Sequence, residues 1–343
     1  MRKLANVLYV TSPDSILGLE DEALTIKRED HPTRKLPLLN LQGIVCFNYV
    51  GVSPFLMGEC VKRNIGLTFL APNGRFLARV NGPVSGNVLL RKKQYATSED
   101  PENSLKIAKN CVIGKIYNQR KVLQRAKRDH ALLLDTTQFD TIIQELKELL
   151  KTAPQATTKA ELMAIEGNAA RRYFSLFNQM IFHQKDHFFF KDRNRRPPTD
   201  PMNAVLSFLY VLLANEIASA LETVGLDAYV GFYHTDRPGR KSLALDMMEE
   251  LRPVLCDRLA LTLVNRKQIT GQGFTIKETG GVLMDDDTRK AVIVAWQEKK
   301  KEELTHPFMK EKLPYGLLPH MQALLLARYL RDDLEAYPPF LWS

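Results

Sequence analysis

Glu166, in the segment IEGNAARRYFSLF, is a carboxylate set among Ile165, Ala169, Ala170 and Phe174 on a stretch of helical periodicity. An ionised group on such a face needs a partner, because burying it alone is costly. A salt bridge to Arg171 or Arg172 would meet that need, and so would a metal ion if further ligands exist. Those are offered by GFYHTDRPGRKSLALDMMEELRPVL. There a helix capped by Ser242 carries Asp246 and Glu249 one turn apart, while Leu243, Met247, Leu251, Val254 and Leu255 can pack inward. His234 stands upstream in a loop of Gly, Pro and Arg. One imidazole with several carboxylates and no cysteine suits Mg2+ or Mn2+ in a nuclease better than zinc. Paired acids on a helix are often only surface charge, and a lone His before a helix is often only a loop residue, so spacing by itself leaves both readings open.

Cations surround these acids. The loop supplies Arg237, Arg240 and Lys241, and the following turns Arg252, Arg258, Arg266 and Lys267. Phosphodiester chemistry needs such charges to offset what develops on the phosphorane; pairing with Asp236, Glu250 and Asp257 is the plainer use. A second basic stretch, KDRNRRPPTDPMN, sets Arg193, Arg195 and Arg196 before a helix near Asp200, where they could hold a DNA backbone or brace the fold. His183 and His187, four apart in FHQKDHFFF, lack the Glu that a zinc protease needs after its first His, which favours a structural or DNA-facing role. Tyr173 and Tyr233 could stack on bases, although packing is the commoner use. There is neither a Walker-type phosphate loop nor a Gly-x-Ser-x-Gly elbow, so nucleotide hydrolysis and serine hydrolysis have no support.

The elements that would position these residues fall into two parts, as 343 residues lead one to expect. Up to about Pro83 the chain alternates in short runs, NVLYV, ALTIKRE, GIVCFNYV, IGLTFLAP and FLARVNGP, with one short helix at SPFLMGECVKRN and a hairpin turn at Asn73–Arg75. Beyond it, three-to-four spacing predicts helices through SLKIAKNCVIGKIYNQRKVLQRAKRD and FDTIIQELKELLKTA, and at roughly 158–182, 201–224, 242–269 and 318–335. The fold class expected is α+β: a mostly-β domain over 1–85, a linker over 86–96 and an all-α domain over 97–343. QEKKKEE at 297–303 reads as a solvated helix face.

A charge of +9 tilts toward a polyanionic partner. Cys46, Cys60, Cys111 and Cys256 are too scattered for a zinc site or a disulfide scaffold and read as buried thiols in a reducing compartment. The basic start has too short an apolar stretch for a signal peptide, and no apolar run is expected to span a bilayer, so a cytoplasmic protein without a membrane partner follows.

Three segments in order, EGNAARRYF from Glu166, RRPPTDPMNA from Arg195, and His234 followed by SLALDMMEELRP from Ser242, closely resemble the CRISPR-associated Cas-one family over nearly the whole chain. Details of HTDRPGRKSLALDMMEELRPVL are similar to its type I-C branch. The resemblance implies a β-rich N-terminal domain that forms a homodimer and a helical catalytic domain. It makes Glu166, His234 and Glu249 the metal ligands, with Asp246 supporting the metal or a neighbouring base. It further implies a DNA endonuclease and integrase that inserts short foreign DNA into the CRISPR array. The 3′-hydroxyl of double-stranded or forked DNA would attack a repeat phosphodiester, with the partner Cas-two and, in type I-C systems, the nuclease Cas-four. A stand-alone metal-dependent nuclease and a non-catalytic DNA scaffold are the alternatives.

Overall fold

A computed structural model describes residues 7–47, 50–71, 76–80, 82, 88–195 and 197–343, and the chain separates into units of 1–86 and 87–343. In the first unit the alternating runs become strands. They are β1 Val7–Val10, β2 Ile16–Glu20, β3 Ala23–Arg28, β4 His31–Pro37, β5 Gly43–Phe47 and β6 Gly51–Val52, then helix α1 Pro54–Lys62, then β7 Gly66–Leu70 and β8 Phe76–Val80. One sheet has the order β1-β5-β7-β8 and the other β4-β3-β2-β6. β5 is parallel to both its neighbours, β1 and β7, and accordingly reads as a near-continuous apolar run, GIVCF. Ser53 caps α1 by accepting from the Leu56 N–H at 3.3 Å, with Pro54 in the first turn. The core joins Leu17, Leu24, Ile44, Leu56, Cys60 and Leu67. Asn73–Arg75 lies outside the described residues, while the strands on either side of it, β7 and β8, pair antiparallel.

The second unit is mainly helical: α2 Val88–Glu99, α3 Pro101–His130, α4 Thr136–Thr152, α5 Lys159–Ser175, α6 Pro201–Thr223, α7 Ser242–Arg252 and α8 Arg258–Asn265. A small hairpin follows, β9 Phe274–Ile276 with β10 Val282–Met284. After α9 Asp286–Lys301 comes a second, β11 Glu303–Thr305 with β12 Lys312–Pro314, and α10 Leu318–Leu330 completes the unit. The chain is therefore α+β, with two hairpins added to a part expected to be all-α. Residues 88–96, expected as linker, lie inside α2.

The long helix α3 starts at an Asp100 cap followed by Pro101 and packs against α4, α5 and α7. Residues 253–257 run as a π turn between α7 and α8, so the helix expected over 242–269 changes type in the middle and ends at Asn265. Two further expectations are corrected. Helix α6 is by length and composition apolar enough to cross a membrane, contrary to the reading that no such run exists, and 61% of its apolar window is buried in this unit. Nor is 297–303 wholly solvated: Lys300 is buried with its Nζ 2.7 Å from Glu216 Oε1, and the Lys299 ammonium lies 4.2 Å from the centre of the Tyr315 ring. All four cysteines are free and buried.

Candidate active site

Glu166 on α5 and Glu249 on α7 are drawn together by a residue not singled out from the sequence, Lys115 on α3, and His234 in the loop before α7 lies beside Glu249. The Lys115 ammonium makes ion pairs with Glu166 and, at 2.7 Å, with Glu249 Oε2. Arg252, one turn beyond Glu249, places NH1 3.1 Å from its Oε1, and His234 Nε2 lies 3.9 Å from the same oxygen. Burial pushes the Glu249 carboxyl up, but the Arg252 and Lys115 charges outweigh it and hold the group at about 2. Burial likewise disfavours the Lys115 ammonium, and Glu249 and Glu166 more than compensate, raising it above the ordinary lysine range. Both groups are therefore charged at neutral pH. Neither Arg171 nor Arg172 is the ion-pair partner of Glu166; Arg172 pairs with Glu145 instead.

Asp246 has a defined task. Its Oδ2 accepts the N–H groups of Phe232 at 2.6 Å and Tyr233 at 2.9 Å, and its Oδ1 accepts the His234 N–H at 2.8 Å. Oδ1 also lies 2.7 Å from His234 Nδ1. A carboxylate is an acceptor only, so a ring proton belongs on Nδ1, and Nε2 faces Glu249. Gly231 permits this approach, since a Cβ there would lie 2.8 Å from Asp246 Oδ2 and 3.0 Å from the Ser242 backbone. Ser242 is not the expected cap: it is the first helical residue, and its hydroxyl donates to the Thr235 carbonyl at 3.2 Å, tying down the same loop.

The remaining candidates are dispersed. Arg195 and Arg237 are exposed, and Arg196 lies outside the described residues. Lys241 donates to Asn215 Oδ1 at 2.9 Å, and Arg240 points toward the Thr235 carbonyl at 3.5 Å. Arg252 is engaged within the protein, its guanidinium also 5.0 Å from the centre of the Tyr210 ring, whose hydroxyl donates to Asp257 at 2.6 Å. Arg193 braces α6 through Asn203 Oδ1 and Ser207, and Asp200 caps that helix. Tyr173 is fully buried against Phe174 and Phe177, and Tyr233 is 7% exposed, so neither offers a free face for a base. His183 and His187 lie in a turn, not on a helix, and the His187 ring packs against Gly271.

The C-terminal tail folds back under the site. Asn118, one turn after Lys115, donates to the carbonyls of Glu250 at 2.6 Å and Phe340 at 2.8 Å and accepts the Trp342 N–H at 2.8 Å. Glu250 accepts from Tyr337 OH at 2.5 Å, Gln322 at 2.9 Å and the Phe340 N–H at 2.6 Å, and burial pushes its carboxyl up to about 7 against those donors. Gly114 lets α3 and α7 meet here, because a Cβ would lie 2.8 Å from Glu250 Cβ. Asn118→Ala strands three buried backbone groups and is expected to cost about 2–4 kcal/mol. Its melting temperature should fall by several degrees, and an unchanged melting curve would contradict this role for the tail.

Among the described residues, no three His, Cys, Asp or Glu side chains converge closely enough to enclose an ion as they stand. Lys115 Nζ lies between the two glutamates that would have to do so. By chemistry the set still fits a hard divalent cation: two carboxylates and an imidazole whose Nδ1 is committed elsewhere, so that Nε2 is free to ligate.

Acids, an imidazole and cations thus lie together within the helical unit of a mixed β-rich and helical chain. The family model for CRISPR associated protein Cas1 matches residues 8–298, and the chain belongs to that family. It is 47% identical over 342 residues, all of both chains, to CRISPR-associated endonuclease Cas1 1 of Chlorobaculum tepidum. It is 36% identical over 337 residues, 97% of this chain and 60% of the relative, to a CRISPR-associated exonuclease Cas4/endonuclease Cas1 fusion of Geobacter sulfurreducens. Among solved structures it resembles a casposase bound to integration product, with TM-score 0.84, 21% identity and coverage of 98% and 94%. It also resembles a chain of a Cas6-RT-Cas1–Cas2 complex, with TM-score 0.81, 23% identity and coverage of 100% and 36%. At those identities the two structural likenesses speak for the fold alone.

Proposed function

We propose that the chain is a divalent-metal-dependent DNA endonuclease and integrase of CRISPR adaptation, joining the 3′-hydroxyl of short foreign DNA to a repeat phosphodiester. The observation that carries this is the convergence of Glu166, His234 and Glu249 from three separate segments, with Asp246 fixing the imidazole. Full-length likeness to a relative named an endonuclease supports the activity. Glu166, Glu249 and His234 Nε2 would hold Mg2+ or Mn2+, which when bound supplies Lewis-acid stabilisation of the scissile phosphate and the departing oxygen. Asp246 keeps the proton on His234 Nδ1, so that Nε2 stays a ligand. Arg252 supplies positive charge beside the carboxylates, where negative charge accumulates during attack. One phosphodiester replaces another, so no nucleotide cofactor enters. With water as the attacking group, the same residues would give hydrolysis.

Arg195, Arg196, Arg237, Arg240 and Lys241 would hold the DNA backbone, with Arg237 and Arg195 the most exposed of those described. The N-terminal unit is assigned to homodimer formation, with Cas2 and, in a type I-C setting, Cas4 as partners. The Cas4/Cas1 fusion among the relatives supports Cas4 as a partner. The test follows the joined product of a 3′-hydroxyl DNA end and a repeat duplex. EDTA is expected to abolish joining and excess Mn2+ to restore it, whereas joining that persists in EDTA would sink the reading.

A further inference from the structure

Lys115 stands where a ligated cation would have to be. Its ammonium contacts Glu166 and lies 2.7 Å from Glu249 Oε2, and its side chain is only 8% exposed. Among the described residues it is the sole ion-pair partner of Glu166, while Glu249 has Arg252 as well. The placement is built in: Lys115 lies on the buried stripe Ala108, Cys111, Lys115, Asn118 and Val122 of α3, beside the close approach at Gly114 and one turn before the Asn118 anchor. A long flexible cation held this firmly on both sides has a structural purpose in the metal-free protein, where the buried Glu249 carboxylate and the half-buried Glu166 carboxylate would otherwise repel each other.

We propose that Lys115 is a resident counter-ion that competes with the divalent cation for Glu166 and Glu249. This rests on the metal-site reading above. Without metal it neutralises the pair and holds α3, α5 and α7 in register. A divalent ion that takes the same carboxylate oxygens must move the ammonium aside, so metal affinity is set below what the bare carboxylates would give. Lys115 is thus a positioning residue for the site: it keeps the ligands assembled and tunes how readily they accept the ion.

The test titrates Mn2+ calorimetrically into the full chain at fixed neutral pH, with melting temperatures measured with and without Mn2+. Wild type is compared with Lys115→Met, Lys115→Gln and Glu166→Ala. Removing a unit charge at this distance should tighten Mn2+ binding at least about tenfold in both neutral variants. Each should melt several degrees below wild type without metal and recover most of that loss at saturating Mn2+. Lys115→Gln keeps a donor toward the carboxylates and covers the case in which Lys115→Met does not fold; a variant that folds only with Mn2+ also supports the proposal. Neutral variants that bind Mn2+ no tighter than wild type, or more weakly, overturn it, even if they are less stable. Binding in wild type that survives Glu166→Ala unchanged, or no binding in any of the proteins, overturns the metal-site reading and this proposal with it.

Discussion

Glu166→Ala and His234→Ala are each expected to reduce strand joining by at least about a hundredfold, since each removes one proposed ligand of the ion on which the chemistry depends. The two should differ in stability. Glu166→Ala takes from Lys115 one of its two carboxylates and leaves a buried ammonium with Glu249 alone, so the metal-free variant should melt lower than wild type. His234→Ala leaves the Phe232, Tyr233 and residue-234 N–H bonds to Asp246 in place, so its melting temperature should stay near that of wild type. Both variants should still bind DNA, because neither side chain belongs to the exposed cationic set. Rates of joined-product formation and a DNA-binding isotherm, measured side by side, check this. A non-catalytic scaffold would keep wild-type activity with either substitution.

Asp246→Asn is expected to lose about 10–100-fold in metal affinity or activity although the residue touches no proposed metal position. The carboxylate uses both oxygens as acceptors, toward three backbone N–H groups and His234 Nδ1. An amide has one acceptor oxygen, and its NH2 group would face donors. Loop 231–234 would therefore lose bonds in a buried setting, and the imidazole would lose the group that fixes its tautomer. The expected signature is a lower melting temperature together with weaker Mn2+ binding. An Asn variant that folds less stably but binds Mn2+ as wild type does would reduce Asp246 to a structural anchor.

Much of the fold was legible because the pattern was strong where burial was one-sided or complete. Strands β1, β3, β5, β7 and β8 follow from short β-type runs between turn residues, and helix α1 from the Ser53–Pro54 start. β4, HPTRKLP, is exposed along its whole length, so it carries no alternation to read. α2 passed for a linker because two of its three buried positions are polar, Gln94 and Thr97 beside Leu90. Gln94 earns its burial by bonding the Asp227 and Val230 carbonyls, partners far away in sequence. Buried Lys300 is hidden in the same way, because its neighbours in QEKKKEE are charged and its partner Glu216 is 84 residues away.

The site divides similarly. Glu166, His234 and Glu249 were named through family resemblance, while spacing left them open beside ordinary salt bridges. Asp246 was placed as a supporting residue, but its task depends on loop geometry that no spacing reveals. Lys115 was readable in principle: a cation inside the apolar stripe of a long helix calls for a partner by the same argument that singled out Glu166. Its partners, 51 and 134 residues further on, become visible only once α5 and α7 are packed beside α3.

The most direct measurement is a crystal structure of the full chain with Mn2+, the ion located by its anomalous signal. The expected result is a single strong peak ligated by Glu166, Glu249 and His234 Nε2, with Asp246 still on Nδ1 and the Lys115 ammonium moved from between the glutamates. A peak elsewhere, or Lys115 still bridging Glu166 and Glu249 at saturating Mn2+, would contradict the account.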